Sequence, residues 1–171
     1  MTKVDPLAQN AFKEYMRFRQ LEKAQGLCDQ ILKKDAGNPQ GWFQLSEILI
    51  QTGKPTEALK FALRSVQLAP DLCPAMTQLA KCYLLLGNHS TALQYATQAT
   101  KLETDDLDDL DTLANIFSRC NQEPTALKLF SKAADLNPNN ADLLYNLATS
   151  QRFLGHTTAA DESFSRAIEL N

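Results

Sequence analysis

The sequence is poor in the features that would mark an enzyme, a membrane protein or a metal site. Histidine occurs twice among 171 residues, at His89 and His156, and neither has further ligands at metal-binding spacing. The four cysteines, Cys28, Cys73, Cys82 and Cys120, form no C-x-x-C pair, which argues for reduced, packed thiols in a cytoplasmic protein. No run approaches the roughly 20 apolar residues that span a bilayer, and MTKVDPLAQN lacks the apolar stretch of a secretory leader. A membrane partner is therefore not expected. Basic residues are also in deficit: 17 Lys and Arg against 20 Asp and Glu give a net charge of -3, so no nucleic-acid partner is expected. A phosphate-cradling glycine loop, a nucleophile elbow and an H-E-x-x-H motif are all missing, which leaves no catalytic residue, no metal and no cofactor to propose.

What is there is repetition. Leu45, Leu79, Leu113 and Leu147 recur every 34 residues, and Ala58, Ala92, Ala126 and Ala160 keep the same step, with Ala24 ahead of them. A period of this length is the mark of stacked helical units. The register divides the chain into units 5–38, 39–72, 73–106, 107–140 and 141–171. Apolar residues at three- and four-residue steps predict two helices in each: 6–19 and 22–35, 40–52 and 56–69, 74–86 and 90–103, 108–120 and 124–137, 142–154 and 158–170. Gly53, Gly87 and Gly155 share the position between the helices of a unit, where a left-handed residue ends the first helix, and Asn121 holds it in the fourth unit. Pro6, Pro74 and Pro124 fit the first turn of a helix, whereas Pro39 and Pro55 are expected in turns. Ser46, Ala80, Ala114 and Ala148 should cross Ala58, Ala92, Ala126 and Ala160 closely, flanked by larger residues such as Trp42, Tyr83, Phe117 and Phe164.

In its order of residues the second unit resembles the tetratricopeptide repeat, through Trp42, Leu45, Leu49, Gly53, Ala58, Ala62, Ser65 in place of Ala, and Pro70. Leu79, Ala80, Tyr83, Gly87, Ala92 and Ala99 carry the likeness in the third unit. In the fourth it rests on Leu113, Ala114, Phe117, Ala126, Phe130, Ala133 and Pro138, and in the fifth on Leu147, Ala148, Gly155, Ala160, Phe164 and Ala167. The first unit departs from the pattern, with Phe12 at the crossing and Arg19 at the glycine position. The resemblance implies an all-α, right-handed superhelical solenoid of about five helix-turn-helix repeats in a single domain over 1–171. It also implies a non-catalytic scaffold that binds a peptide or helix in a concave groove lined by the first helices. The groove positions are the second, fifth, sixth, ninth, twelfth and thirteenth of each unit.

Carried over by position, these give Lys13, Phe43, Gln44, Glu47, Ile50, Gln78, Lys81, Asp108, Asp111, Asn115, Tyr145 and Asn146 as candidate ligand-binding residues. Lys13, Arg17 and Lys81 towards one end, with Asp108, Asp111 and Asp142 towards the other, suggest a groove graded from basic to acidic. The Lys and Asn set by which one subgroup of the family grips a C-terminal carboxylate is absent from any three consecutive units. LYNLATSQRFLGHTTAADESFSRAIELN resembles repeats that precede a bacterial sulfotransferase, so the alternative expectation is the N-terminal region of a larger enzyme, a sulfotransferase or glycosyltransferase. The final unit carries no polar cap, with Phe164, Ala167 and Ile168 expected partly open. This suggests a piece of a longer protein, or self-association through that end.

Overall fold

The computed structural model describes residues 5–170, so Asn171, the last residue of the fifth unit, lies outside the described residues. Among the described residues the chain forms ten α-helices and no strand. They are α1 (Pro6–Arg17), α2 (Leu21–Lys34), α3 (Pro39–Gln51), α4 (Pro55–Leu68), α5 (Cys73–Leu85), α6 (His89–Thr100), α7 (Leu107–Arg119), α8 (Glu123–Leu136), α9 (Ala141–Phe153) and α10 (Thr157–Glu169). They group into two compact units, Met1–Tyr95 and Ala96–Asn171, with α6 running through the division.

Each helix pair is closed by the same turn. The amide N–H groups of Gln20, Lys54, Asn88, Gln122 and His156 donate to the carbonyls of Tyr15, Leu49, Tyr83, Phe117 and Gln151 at 2.8–2.9 Å. This six-to-one bond requires a left-handed residue just before the donor. Gly53, Gly87 and Gly155 supply it at φ 75–80°, Asn121 at φ 58° and Arg19 at φ 53°. The first pair therefore keeps the turn geometry despite lacking the glycine. Pro39 and Pro55, expected in turns, instead open α3 and α4, because a proline at the first helical position forfeits no intrahelical bond. Asp5, Asn38, Asp106 and Asn140 cap the first helices of four pairs through their side-chain oxygens.

Two ends differ from expectation by more than one residue. α1 stops at Arg17 rather than at residue 19, because Phe18 caps it and Arg19 already has positive φ. α6 stops at Thr100 rather than at 103. The amides of Lys101 and Leu102 turn back to Gln98 and Ala99, and Glu103 sits at φ 45°. Acidic residues at 103, 105 and 106 would oppose the negative end of a longer helix.

In the first unit, Phe12, Met16, Ala24, Cys28 and Ile48 form one buried cluster, and Ala58, Ala62, Leu79 and Cys82 form another, with Leu49, Ile50 and Tyr83 against it. Phe12 at the crossing is thus core rather than an obstacle. Trp42 stacks on Phe61 at 5.7 Å and donates from Nε1 to the Ala36 carbonyl at 2.9 Å, a packing role. Ser65, standing where the last three repeats have Ala, satisfies its buried hydroxyl on the Pro39 carbonyl at 2.8 Å. In the second unit Leu110, Ala133 and Leu143 are the buried centre, flanked by Leu107 and Leu129.

Candidate functional site

The faces of the first helices divide into rows with different fates. The fifth and sixth positions form seams between successive pairs. In the first unit, Phe43 is 7% exposed, Thr77 3%, Gln44 0% and Gln78 7%. The Gln44 Oε1 lies 4.0 Å from the Cys28 Sγ, and Gln78 Nε2 donates to Ser46 Oγ at 3.4 Å. The structure corrects the expectation that Phe43, Gln44 and Gln78 meet a ligand: the neighbouring helices cover them. Ile50 is likewise half-buried against the second core cluster. In the second unit the same seam is polar. Asn146 Nδ2 donates to Asp111 Oδ1 at 2.8 Å, while Asn115 Nδ2 donates to Asp111 Oδ2 at 3.1 Å and to its carbonyl at 2.8 Å. These three candidates are therefore brought together as one network.

The thirteenth position is exposed and the ninth at least partly so. Lys13, Glu47 and Lys81 are half-buried in the first unit, and Arg17, Gln51 and Leu85 are exposed beside them. In the second unit Asn115 is half-buried, and Thr149, Arg119 and Phe153 are exposed. Asp108 is exposed in the first turn of α7, where its charge suits the helix N-terminus, and Asp142 is exposed at the same place in α9.

Tyr145 is exposed for a different reason. It belongs to the fifth row, and no described helix covers the α9–α10 face on which it lies. It meets Phe164 edge-on at 5.5 Å, and the Arg152 guanidinium stands 5.1 Å from the centre of that ring. Together with Asp142 and Ile168 they line an open cleft of about 350 Å³. Arg152 holds the same twelfth position as Ile50 but was not among the candidate residues; its place over the ring of Phe164 is visible only in the structure. Of the residues expected open on this face, Ile168 is 75% exposed and Phe164 is half-buried, but Ala167 is buried at 4%. A side chain that small is shielded by its own helix pair.

Burial disfavours the thiolate form of three of the four cysteines. Burial, then the charges of Asp29 and Glu47, pushes the Cys28 thiol up to about 12, and burial also raises Cys82 and Cys120. Among the described residues no helix is long and apolar enough to cross a membrane.

Tetratricopeptide-repeat models match residues 10–72, 74–106 and 129–162. With its helix pairs and glycine or glycine-like turns, the chain is an all-α tetratricopeptide-repeat protein. Its fold is similar to that of MamA, with a TM-score of 0.68 at 17% identity over 98% of this chain and 95% of the other. A MamA chain from Desulfovibrio magneticus RS-1 gives a TM-score of 0.68 at 18% identity over 96% and 93%. YrrB, described as a TPR protein with an unusual peptide-binding site, gives 0.65 at 18% identity over 96% and 84%. At these identities the likeness is one of fold. No curated protein matches the sequence.

Proposed function

We propose that this chain is a protein-interaction scaffold that binds an extended peptide or a helix along the open faces of its first helices, without catalysing a reaction. The observation that carries the reading is the division of rows. The fifth and sixth positions of α3 and α5 are buried in seams, whereas along the first helices of each unit the thirteenth position is exposed and the ninth at least partly so. In the first unit this stripe holds Lys13, Arg17, Glu47 and Lys81 beside the apolar Leu85. In the second it holds Asn115, Arg119, Thr149 and Phe153, with Asp108 and Asp142 exposed in the first turns of the same helices adding acidic charge. Exposed charges of this kind contribute orientation and on-rate more than affinity, so acidic residues suit a ligand at the first stripe and basic residues one at the second. That the same fold holds a peptide-binding site in YrrB supports the reading. Buried free thiols at Cys28, Cys73 and Cys82 suit a reducing compartment such as the cytoplasm.

The test is selection of peptides from a displayed random library on the 171-residue chain, followed by titration calorimetry. Lys81→Glu should weaken peptides with acidic residues, and the pair Asp108→Asn with Asp142→Asn should weaken those with basic residues and flatten the salt dependence. Selected peptides that bind all these variants equally well would refute the groove.

A further inference from the structure

Side chains at the two ends of the described chain match, in repeat register, pairs that are buried inside it. Within the first unit, α3 seats against α2 at Gly41. A Cβ there would fall 2.7 Å from Leu32 Cγ and 3.3 Å from Ile31. One repeat before Gly41 stands Leu7, and four repeats after Leu32 stands Ile168. Leu7 is 80% exposed and Ile168 75%. The second pair is Asn146 and Asp111, bonded at 2.8 Å. Its counterparts at the ends are Asn10 and Tyr145, both exposed and both able to hydrogen-bond.

The third pair adds charge. Ile48, Cys82, Ile116 and Ser150 all hold one register position and are all buried, and the same position in α1 is Glu14, which is exposed. In α5 this position touches the preceding pair through Cys82 and Ser46, 3.6 Å apart. The counterpart of Ser46 on the last pair is Ala148, and one helical turn beyond it, on the same face, is Arg152. A carboxylate covered at a seam is costly unless paired, and this register brings Glu14 to the turn of α9 that carries Arg152.

We propose that a second copy of this chain seats its α1 on the α9–α10 face, as α5 seats on α3 and α4, so that copies associate head to tail. Leu7 of the second copy covers Ile168 and Ala167, its Asn10 meets Tyr145, and its Glu14 pairs with Arg152. The contact is heterologous, using a different surface on each partner, and so it propagates rather than stopping at two copies. Leu7 with Ile168 is a bulkier pair than Gly41 with Leu32, which holds the helices farther apart than in the internal seam. One helix laid on two is also a small interface beside the roughly 1,600 Å² of a stable complex. The association is therefore reversible and concentration-dependent.

Sedimentation velocity of the 171-residue chain, from low micromolar to submillimolar concentration, should show the weight-average mass rising beyond that of a dimer. Leu7→Asp and Ile168→Asp, both on exposed helix surfaces and checked for helicity by circular dichroism, should each remain monomeric alone. Mixed in equal amounts they should form a heterodimer and nothing larger, because one retains an intact tail and the other an intact head. Glu14→Arg should weaken association, and adding Arg152→Glu should restore it. A wild-type chain that stays monomeric, a single Asp variant that still self-associates, a mixture that does not pair, or a charge reversal without recovery would each overturn the proposal.

Discussion

Asn146 on α9 donates to Asp111 on α7 at 2.8 Å, and the same carboxylate takes a second bond from Asn115 at 3.1 Å. The aspartate thereby ties two successive helix pairs of the second unit together through charge-assisted bonds. Asn146→Leu should cost about 1–2 kcal/mol, since it removes one donor and leaves a half-buried carboxylate less well satisfied. Urea denaturation followed by circular dichroism measures the loss. An unchanged midpoint would show that solvent replaces the bond fully.

The turn residues provide a paired prediction. Arg19 and Asn121 occupy left-handed positions that glycine fills elsewhere. Arg19→Gly should stabilise the first pair by about 0.5–1 kcal/mol, the relieved strain being partly offset by glycine's greater freedom in the unfolded chain. Gly87→Ala should destabilise by about 1 kcal/mol, and only through φ, because a Cβ at that point meets nothing within 4 Å.

Gly41 is a packing glycine rather than a turn glycine. Gly41→Ala should cost about 1–3 kcal/mol by driving a methyl group into Leu32. Combining it with Leu32→Val recreates the Ala75 and Val66 combination found one repeat later in the register, and should recover part of the loss. Thermal melts of the two single variants and the double variant check this.

Thiol chemistry should follow burial. At pH 8 an aromatic disulfide reagent should label Cys120 first, while Cys28, Cys73 and Cys82 react only as the fold opens. The Cys28 thiol ionises near 12 in the fold against 9.0 for an unburied thiol. Its contribution to stability is therefore fully present below pH 9 and is lost as pH rises towards 12, because the unfolded chain gives up that proton first. Cys28→Ala, which installs the residue found at 62 and 96, should reduce this alkaline loss in denaturation curves taken at several pH values.

Most helix boundaries were legible to within a residue because proline and glycine act locally, and their positions repeat every 34 residues. The exceptions are local too. α6 is cut short by its acidic flank and Glu103, and Arg19 adopts a conformation that its side chain does not favour. The candidate site was legible as a set of helix faces but not as a surface. Register places Gln44, Gln78 and Asn146 on the same side of their helices, yet whether that side is covered depends on how closely the next pair approaches. Phe43 and Tyr145 make the point. They hold one position, and Phe43 is buried at 7% while Tyr145 is 57% exposed, because only the first has a helix laid over it.

The seam at Gly41 and Leu32 has a further consequence for the order of the repeats. Bulk at that register position is shared unequally: glycine faces leucine at the first seam, and leucine at 143 stands opposite alanine at 134 at the last. A repeat moved elsewhere would bring the wrong volume, or the wrong polarity, to its new neighbour. Excising 73–106, for instance, would set the Asp109 carboxylate against Val66 and remove Thr104, whose hydroxyl donates to it at 3.4 Å. The units share a backbone plan but are not interchangeable parts; their succession along the chain is itself a packing specification.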